Sequence, residues 1–363
     1  MPSSRLAKIS AVVCSAALAI TATSCGSGVK RATPCAGKRS LTASGSSAQA
    51  EAIAHFNNVY ETVCRGRSVD YTPIGSAAGR KDFITAETDF AGSDTPLGAE
   101  VGEQQAARLR CGGSDAWNLP MVFGAVAIVY NVAGLDALTL NASTAAKIFD
   151  GEITAWDAPE IAALNPDSSL PSQPIVVVSR SDESGTTDAF QRYLESAGGA
   201  SWGRGIGESF KGVIGKTAVG NDGVWSAMRR SAGSITYTAW PFARKNGLRT
   251  TDIATSLGSA AVALSVDSVR KTVDGVSIKG RGNDLVIEDS SLLTPTVSGA
   301  YPIALSTYEI VCSHYPDPET AAAVKAFLEV ALTDGQAGLA ESGYVSIPDS
   351  VKGRLTAAIN AIS

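Results

Sequence analysis

The amino-acid sequence predicts an α/β protein of two lobes, each with a mixed sheet flanked by helices. One observation behind this prediction is a repeated unit of strand, small polar turn and helix, present in residues 41–63, 69–79 and 175–194. The other is a pair of nearly continuous apolar runs, Met121–Tyr130 and Tyr301–Val311, typical of strands covered on both faces. Strands that alternate with helices indicate α/β units.

The repeated units share one order of elements. In the first, Leu41 begins a strand that breaks at residues 44–47, and apolar residues at helical spacing continue to Val63. The strand at Val69–Tyr71 precedes the turn Gly75–Gly79, and the strand at Ile175–Val178 precedes a polar turn and a third helix. Each helix is therefore expected to begin at a turn rich in glycine and serine.

Length and the two apolar runs suggest the domain boundaries. A chain of 363 residues is long enough for about two domains. If the two runs cross between the lobes, residues 40–126 and 308–363 form one lobe and residues 127–307 form the other. The polar stretch 274–298 is expected to be a surface excursion from the second lobe.

The N-terminus carries an export signal. Arg5 and Lys8 precede the apolar run Ile9–Ile20, which is too short to span a bilayer comfortably and so favours a cleaved signal over residues 1–24. Small residues then lead into Cys25, and this segment resembles a bacterial lipobox. We expect lipidation of Cys25, a lipid-anchored linker over residues 25–39 and a place at the outer face of the cell membrane. The alternative is an ordinary signal peptide without lipid.

The remaining cysteines agree with export. Without Cys14 and Cys25, four are left, and an even number in an oxidising compartment suggests two disulfides. Three connectivities are open. We prefer the pairs Cys35–Cys64 and Cys111–Cys312, because the first two flank one strand–turn–helix unit and the other two fall in the same lobe. The only histidines are His55 and His314, so no metal site is expected.

Three turns bring hydroxyl groups and free backbone N–H groups to helix N-termini. They are Ser46-Ser47, Ser76 and Ser184–Thr187, each next to a glycine that permits close backbone approach. A helix start binds anions because its unsatisfied N–H groups and its dipole both face the ligand. A single turn of this kind is more often an ordinary N-cap. Three together favour an oxyanion site.

Two charged elements accompany these turns. Arg180, immediately before the third turn, can pair with a tetrahedral oxyanion through its planar fork, and Asp182 can hold that guanidinium in place. Asp94 lies in another strand-to-turn segment, Asp89–Leu97. Each of these residues alone would more often be a surface ion-pair partner or a helix cap.

The sequence resembles a known family, the phosphate-binding proteins of phosphate-specific ABC transporters. Asp89–Leu97 is similar to the family segment D-F-x-x-S-D-x-P-L, and Arg180–Thr187 to its anion loop R-x-D-x-S-G-T-[ST]. Further similar segments are Trp156–Pro166, Gly220–Val224 and Gly233–Tyr237. The resemblance extends over residues 40–352 in the order that the family shows.

The resemblance implies a set of phosphate contacts, namely Ser47, Ser76, Asp94, Arg180, Ser184, Gly185 and Thr186. In the family's first loop, G-x-G-[AS]-T-F, this chain has Ser44–Ala48 instead, with Ser47 keeping the hydroxyl. Ser46 belongs to the same turn, and contacts through the backbone N–H groups of Ser47 and Ala48 need no particular side chain. The resemblance also implies a type II periplasmic-binding-protein fold, with the ligand in the interdomain cleft. The expected partners are inorganic phosphate and the permease subunits of the transporter, the chain itself being a monomer without a cofactor.

Other functions are disfavoured. A net charge of −5 with both signs scattered along the chain gives no basic patch for nucleic acid. Gly215-Lys216-Thr217 imitates a Walker A loop, but Phe210 stands where that motif requires glycine, and no G-x-S-x-G elbow occurs. A phosphate-ester hydrolase and an adhesive lipoprotein without a ligand are the alternatives. We predict a binding protein and not an enzyme.

Overall fold

The computed structural model describes residue 1 and residues 35–98, 101–213, 215–258 and 260–363. In these ranges the strands are β1 Ser40–Gly45, β2 Ser68–Thr72, β3 Phe90–Ser93, β4 Ala116–Asn131, β5 Thr139–Asn141, β6 Val176–Arg180, β7 Lys216–Ala218, β8 Ser234–Ala239, β9 Asp252–Ala254 and β10 Ala304–Cys312. The helices are α1 Ala50–Val63, α2 Ser76–Ile84, α3 Glu103–Arg110, α4 Ala142–Asp150, α5 Pro159–Leu164, α6 Gly185–Gly198, α7 Gly220–Arg229, α8 Trp240–Lys245, α9 Val266–Val273, α10 Asp289–Leu293, α11 Pro318–Leu332 and α12 Asp349–Asn360.

Several helices begin at a side chain that caps their first turn. The Asn141 side chain accepts from the third residue of α4, Ser184 does the same for α6, and Asp317 caps α11 with a proline at the next position. Each cap satisfies an N–H group that the helix itself leaves unpaired. The three strand–turn–helix units predicted from sequence are therefore present as β1 to α1, β2 to α2 and β6 to α6.

The central strand β4 changes its partner halfway along. Eight strands form one continuous sheet in the order β2-β1-β3-β10-β4-β8-β6-β7. The first part of β4 pairs antiparallel with β10 up to Ala125, and the second part pairs antiparallel with β8 from Val126 onward. On the two sides of β4 the strand pairs β1–β2, β1–β3, β6–β8 and β6–β7 are parallel. The sheet is thus mixed, as the sequence predicts.

The core lies on both sides of this sheet. All residues of β10 and nearly all of β4 are buried, as expected for strands covered on both faces. One aromatic cluster joins Phe149, Phe190 and Tyr237, and another joins Phe90 and Phe327. Residues 33–363 make up one compact unit.

The segment 274–298 differs from the surface excursion expected from its polarity. Leu285 and Ile287 are fully buried, and the backbone N–H of Leu285 donates to the carbonyl of Asn118 in β4. The Asp284 carboxylate also accepts from the Asn118 side chain. A few apolar residues at the centre of a polar stretch therefore attach it to the core.

Two disulfides link distant parts of the chain. Cys35 pairs with Cys64 and Cys111 pairs with Cys312, which is the connectivity preferred from the sequence. The second bridge joins the end of α3 to the end of β10 across 201 residues. In the described part of the chain, no helix is long and apolar enough to cross a membrane. Cys25 and the export signal lie outside the described residues.

Candidate anion-binding site

The predicted anion turns meet at one place. The ends of β1, β3 and β6 bring the residues that follow them to the same region of the structure, where the N-termini of α2 and α6 also lie. Ser46, Ser76, Arg180, Ser184 and Thr186 are all buried there. The structure thus assembles side chains that are up to 140 positions apart in the sequence, from Ser46 to Thr186.

Asp94 is the centre of a hydrogen-bond network. Its Oδ1 accepts from the hydroxyl of Ser46 at 2.6 Å and from the hydroxyl of Thr307 at 2.8 Å, and its Oδ2 accepts from the hydroxyl of Thr186 at 3.1 Å. The backbone N–H of Asp94 donates to Ser76 Oγ at 3.1 Å. Four elements therefore fix the position of a single carboxyl group.

The environment of Asp94 affects its protonation. Burial raises the pKa of the Asp94 carboxyl above its usual value, because a charged group loses solvation there. The hydroxyl groups of Ser46, Thr307 and Thr186 and the charge of Arg180 act in the opposite direction and lower this pKa. The net effect is a raised pKa, although the three hydroxyl donors and the charge of Arg180 favour the ionised form, which can accept a hydrogen bond.

The first turn is held from behind by two tyrosines. Tyr71 donates its hydroxyl to the carbonyl of Ser46 at 2.7 Å, and Tyr344 donates to the carbonyl of Ala48 at 2.8 Å. The N–H of Ala48, expected from the sequence to face the ligand, donates to Ser46 Oγ at 3.0 Å. Ser47 Oγ is buried and has no hydrogen-bond partner among the described residues. A buried hydroxyl without a partner is costly, which points to a ligand at this position.

The third turn approaches Asp94 so closely that only glycine fits. A Cβ atom on Gly185 would lie 2.5 Å from Asp94 Cβ and 2.6 Å from Ser76 Oγ. Ser184 accepts from the N–H of Thr187 at 3.4 Å and so caps α6. The N–H groups of the first turn of α6, which have no intrahelical partner, begin beside the Asp94 carboxyl. The second turn is close too, since a Cβ atom on Gly75 would lie 2.9 Å from the carbonyl oxygen of Glu183.

Arg180 is held in place by two acceptors. Its Nε donates to Asp182 Oδ1 at 2.7 Å, a second nitrogen donates to Asp182 Oδ2, and a third donates to Asn221 Oδ1 at 3.4 Å. Burial alone would raise the pKa of Asp182, but the hydrogen bonds and charge of Arg180 lower it below its usual value. The carboxylate therefore stays ionised and orients the guanidinium, as predicted from the sequence.

A second buried arginine connects α2 to the loop that contains Glu208. Arg80 of α2 is 1% exposed and donates to both carboxylate oxygens of Glu208, at 2.8 and 2.7 Å. It also donates to Glu103 at 2.8 Å and to Ser93 at 3.1 Å, directly before Asp94. Burial would lower the pKa of Arg80, but the two carboxylates raise it above its usual value. This ion pair joins residue 80 to a loop far along the chain.

Two cavities flank these residues. One of about 460 Å³ is lined by Asp94, residues 95–98, α6 and part of β10. The other, about 280 Å³, is lined by Ser47, Ala48 and Asn221 among others. The first cavity is lined by Asp94 but not by Arg180, and the second is lined by neither. Among the described residues no group of acidic, histidine or cysteine side chains could hold a metal ion.

Sequence reasoning missed three residues of this site. Thr307 donates to Asp94 from the middle of β10, where nothing in the local sequence distinguishes it from a buried strand residue. Asn221 accepts from Arg180 and from Thr238, and it lies in a segment noted for its resemblance but given no role. Arg80 has no sequence signal apart from its place in a helix that follows an anion turn.

The fold and these contacts define a class of protein, an α/β binding protein whose hydroxyl groups, buried guanidinium and helix N-termini have the chemistry to bind a small oxyanion. The model of the PBP superfamily domain matches residues 30–334. The chain is 53% identical over 329 residues to Phosphate-binding protein PstS 3 of Mycobacterium leprae, covering 91% of this chain and 88% of that protein. It is 51% identical over the same length to Phosphate-binding protein PstS 3 of Mycobacterium tuberculosis, with the same coverage.

This chain belongs to the PBP superfamily and, within it, to the family of phosphate-binding proteins called PstS. Among solved structures it is similar to a high-affinity periplasmic phosphate-binding protein, PfluDING, bound with phosphate. The TM-score is 0.72 at 21% identity, over 88% of this chain and 93% of that one. At this identity the comparison shows the shared fold, which agrees with the fold class predicted from the sequence.

Proposed function

We propose that this protein binds inorganic phosphate with high affinity outside the cytoplasmic membrane and delivers it to the permease subunits of an ABC transporter. The observation that carries the proposal is the closed site in which the Asp94 carboxyl faces the helix N-terminus at Gly185, with Arg180 close by. The names and the bound ligand of its relatives point to the same anion. The ligand contacts we assign are Ser46, Ser47, Ala48, Ser76, Asp94, Arg180, Ser184, Gly185 and Thr186, and Asp182 orients Arg180.

The chemistry of Asp94 favours phosphate over sulfate. At neutral pH phosphate keeps at least one proton that it can donate to a carboxylate, whereas sulfate has none and would place acceptor against acceptor. A buried polar group without a partner costs about 1–3 kcal/mol, and more if it is charged. A carboxyl group at the centre of an anion site therefore selects an oxyanion that carries a proton.

The two-lobe arrangement is part of the proposal. We assign residues 40–126 and 308–363 to one lobe and residues 127–307 to the other. The change of partner along β4 between Ala125 and Val126 supports the first boundary. The contacts of Asp94 with Thr186 and of Arg80 with Glu208 would then join the lobes in a closed form that the transporter recognises.

The location also belongs to the proposal. We propose that residues 1–24 are removed, that the new N-terminal Cys25 carries the lipid anchor, and that residues 25–39 connect it to a monomeric binding protein. The disulfides support an oxidising compartment. Cys25→Ser should release the protein from membranes, whereas membrane retention of this variant would contradict the lipid anchor.

Calorimetric titration of the purified, phosphate-stripped protein tests the function. We expect saturable binding of one phosphate per chain and much weaker binding of sulfate under the same conditions. Turnover of a phosphomonoester would identify a hydrolase instead. Absence of saturable phosphate binding would refute the proposal and would favour an adhesive lipoprotein.

A further inference from the structure

A buried carboxyl group lies behind the first anion turn, and the contacts described above do not use it. Glu309 of β10 is 1% exposed, and neither of its carboxyl oxygens has a hydrogen-bond partner among the described residues. Gln49, directly after the first turn, is 0% exposed, and its side-chain oxygen also has no partner there. Buried acceptors without donors are rare in proteins. A proton on Glu309 would remove the charge that this buried group would otherwise carry without an ion-pair partner.

Strand pairing places Glu309 beside Gln49. Glu309 is directly opposite Gly92 in the antiparallel pair of β10 and β3, and residues opposite each other extend to the same face of a sheet. A methyl group on Gly92 would overlap the side-chain nitrogen of Gln49. The Gln49 amide therefore covers Gly92 and lies next to Glu309. Thr307, which donates to Asp94, precedes Glu309 by two positions on β10 and so shares this face.

A chain of hydrogen bonds connects this amide to the first anion turn. The side-chain nitrogen of Gln49 donates to the Tyr71 hydroxyl at 3.2 Å. Tyr71 in turn donates to the carbonyl of Ser46 at 2.7 Å. Because a neutral carboxylic acid does not compete for the amide N–H groups as a carboxylate would, a proton on Glu309 leaves the Gln49 nitrogen to donate to Tyr71. All of these donors then face toward the turn.

The electrostatic surroundings keep this proton in place at neutral pH. Burial raises the pKa of Glu309 to about 8, and the neighbouring Gln49 amide offsets this only in part. The titratable groups nearby are Tyr71 from β2, the Asp94 carboxyl after β3, and Tyr344. The pKa of Tyr71 is raised by the charges of Glu309, Asp94 and Tyr344. None of these groups is a cation that could stabilise an ionised Glu309.

We propose that Glu309 is a positioning residue and that the protein binds phosphate best when Glu309 is the neutral acid. Phosphate affinity is then linked to a proton that is carried by neither Asp94 nor the ligand. This inference rests on the proposed function. Loss of the proton would turn the Gln49 amide toward the new carboxylate, break the bond to Tyr71 and place a negative charge behind the turn. Each of these changes weakens the binding of an anion. Conversely, bound phosphate should raise the pKa of Glu309.

Glu309→Gln tests the proposal, because glutamine has the shape of the neutral acid and does not titrate in this range. Phosphate dissociation constants of the native protein and the variant would be measured from about pH 6 to about pH 9.5. The titration of phosphate itself is common to both proteins, so it cancels in their ratio. We expect the ratio of the two dissociation constants to be nearly constant below about pH 7. At the alkaline end the native protein should lose affinity relative to the variant, by roughly tenfold for each pH unit by which bound phosphate raises the pKa of Glu309.

Asp284→Asn is the matched control. Burial also raises the pKa of this carboxyl, but Asp284 contacts Asn118 in the segment 274–298 and none of the anion turns. Its affinity ratio to the native protein should stay flat over the same pH range. If the ratio for Glu309→Gln is equally flat, the proposal is wrong. If the native protein fails to bind phosphate at any pH, the proposed function is wrong instead.

Infrared spectroscopy of the native protein provides a second measurement that does not depend on the variant. Labelling of glutamate with ¹³C separates the carbonyl stretch of a protonated Glu309 from that of Asp94. We expect a protonated glutamate band at about pH 7 that disappears on alkaline titration, and a shift of this titration to higher pH with saturating phosphate. The proposal would be overturned if the band is absent at neutral pH or if phosphate does not move its titration.

Discussion

At the scale of single residues, the proposed site would separate the selection of the anion from its attraction. Asp94 accepts hydrogen bonds from three hydroxyl groups on different elements, and burial raises its pKa. Arg180 is buried and held by Asp182, and it supplies the positive charge. A carboxylate at the centre of an anion site repels every ligand except one that donates a proton. Substitution of these two residues should therefore have different consequences.

Asp94→Asn tests selection. Asparagine keeps the shape of the side chain but can donate an amide N–H to an oxyanion, so it removes the penalty against sulfate. We expect the preference for phosphate over sulfate to fall by at least about tenfold, with a smaller change in phosphate affinity. Calorimetric titration with both anions measures the two constants. A preference equal to that of the native protein would show that Asp94 does not select the ligand.

Arg180→Ala tests attraction. Hydrogen bonds from a charged donor contribute about 1.5–3 kcal/mol, so phosphate and sulfate should both bind roughly 10-fold to 150-fold more weakly. The ratio between the two anions should change little. Arg65→Ala is a suitable control because Arg65 is an exposed arginine outside the site. Equal affinities for the Arg180 and Arg65 variants would exclude Arg180 as a ligand contact.

At the scale of secondary-structure elements, the N-terminus of α6 forms the site together with the loop after β3. The approach of the two elements depends on Gly185, where a Cβ atom would lie 2.5 Å from Asp94 Cβ. Behind the first turn, Tyr71 and Tyr344 fix two backbone carbonyls. The elements thus fix the positions of hydrogen-bond donors around Asp94, and they do so through the position of the backbone as much as through side chains.

Gly185→Ala should prevent this approach. The added methyl group overlaps Asp94 and Ser76, and an overpacked contact costs about 1–3 kcal/mol, so phosphate should bind roughly 5-fold to 150-fold more weakly. The matched control is Gly353→Ala in α12, where a Cβ atom meets nothing within 4 Å. That variant should bind phosphate normally and gain about 0.5–1 kcal/mol of stability from helix propensity. Normal phosphate affinity in Gly185→Ala would contradict the close approach of α6 to Asp94.

At the scale of the whole molecule, contacts between distant parts of the chain enclose the site. The Arg80–Glu208 ion pair is almost fully buried, in contrast to surface pairs such as Lys147–Glu160, whose side chains are 31% and 47% exposed. Buried pairs of this kind are costly to break because the remaining partner stays buried without its counter-charge. If the two lobes close around phosphate, this pair belongs to the closed form only.

Glu208→Gln should therefore weaken phosphate binding. We expect about a tenfold loss of affinity, which corresponds to about 1.4 kcal/mol. This is less than the cost of about 3–5 kcal/mol for a fully unpaired buried charge, because Glu103 still contacts Arg80. Small-angle scattering at subsaturating phosphate should show a larger open fraction for this variant than for the native protein. The control Glu160→Gln removes an exposed pair that contributes at most about 1 kcal/mol and should leave both measurements unchanged. A Glu208 variant that behaves like this control would show that the ion pair does not stabilise the closed form.

The sequence alone determined the fold class and the strand–turn–helix units and favoured the disulfide pairs that the structure shows, whereas the proposed phosphate contacts came from the family resemblance. The fold class and the strand–turn–helix units depend on local chemistry, such as apolar periodicity and glycine and serine at helix starts, whereas the pair Cys111–Cys312 followed from the predicted lobes. The pairing of Arg180 with Asp182 was predictable because the two residues are only two positions apart. The segment 274–298 shows the limit of such reasoning, since its average polarity conceals the buried Leu285 and Ile287.

Only the tertiary structure identified the parts of the site that depend on distant partners. Thr307 resembles any buried strand residue until β10 is placed beside β3, where its hydroxyl meets Asp94. Arg80 acquires its partner Glu208 from 128 positions away. The role proposed for Glu309 rests on Gly92 opposite it, which leaves space for the Gln49 amide. Such contacts are set by strand order and register, which join residues that no local pattern relates.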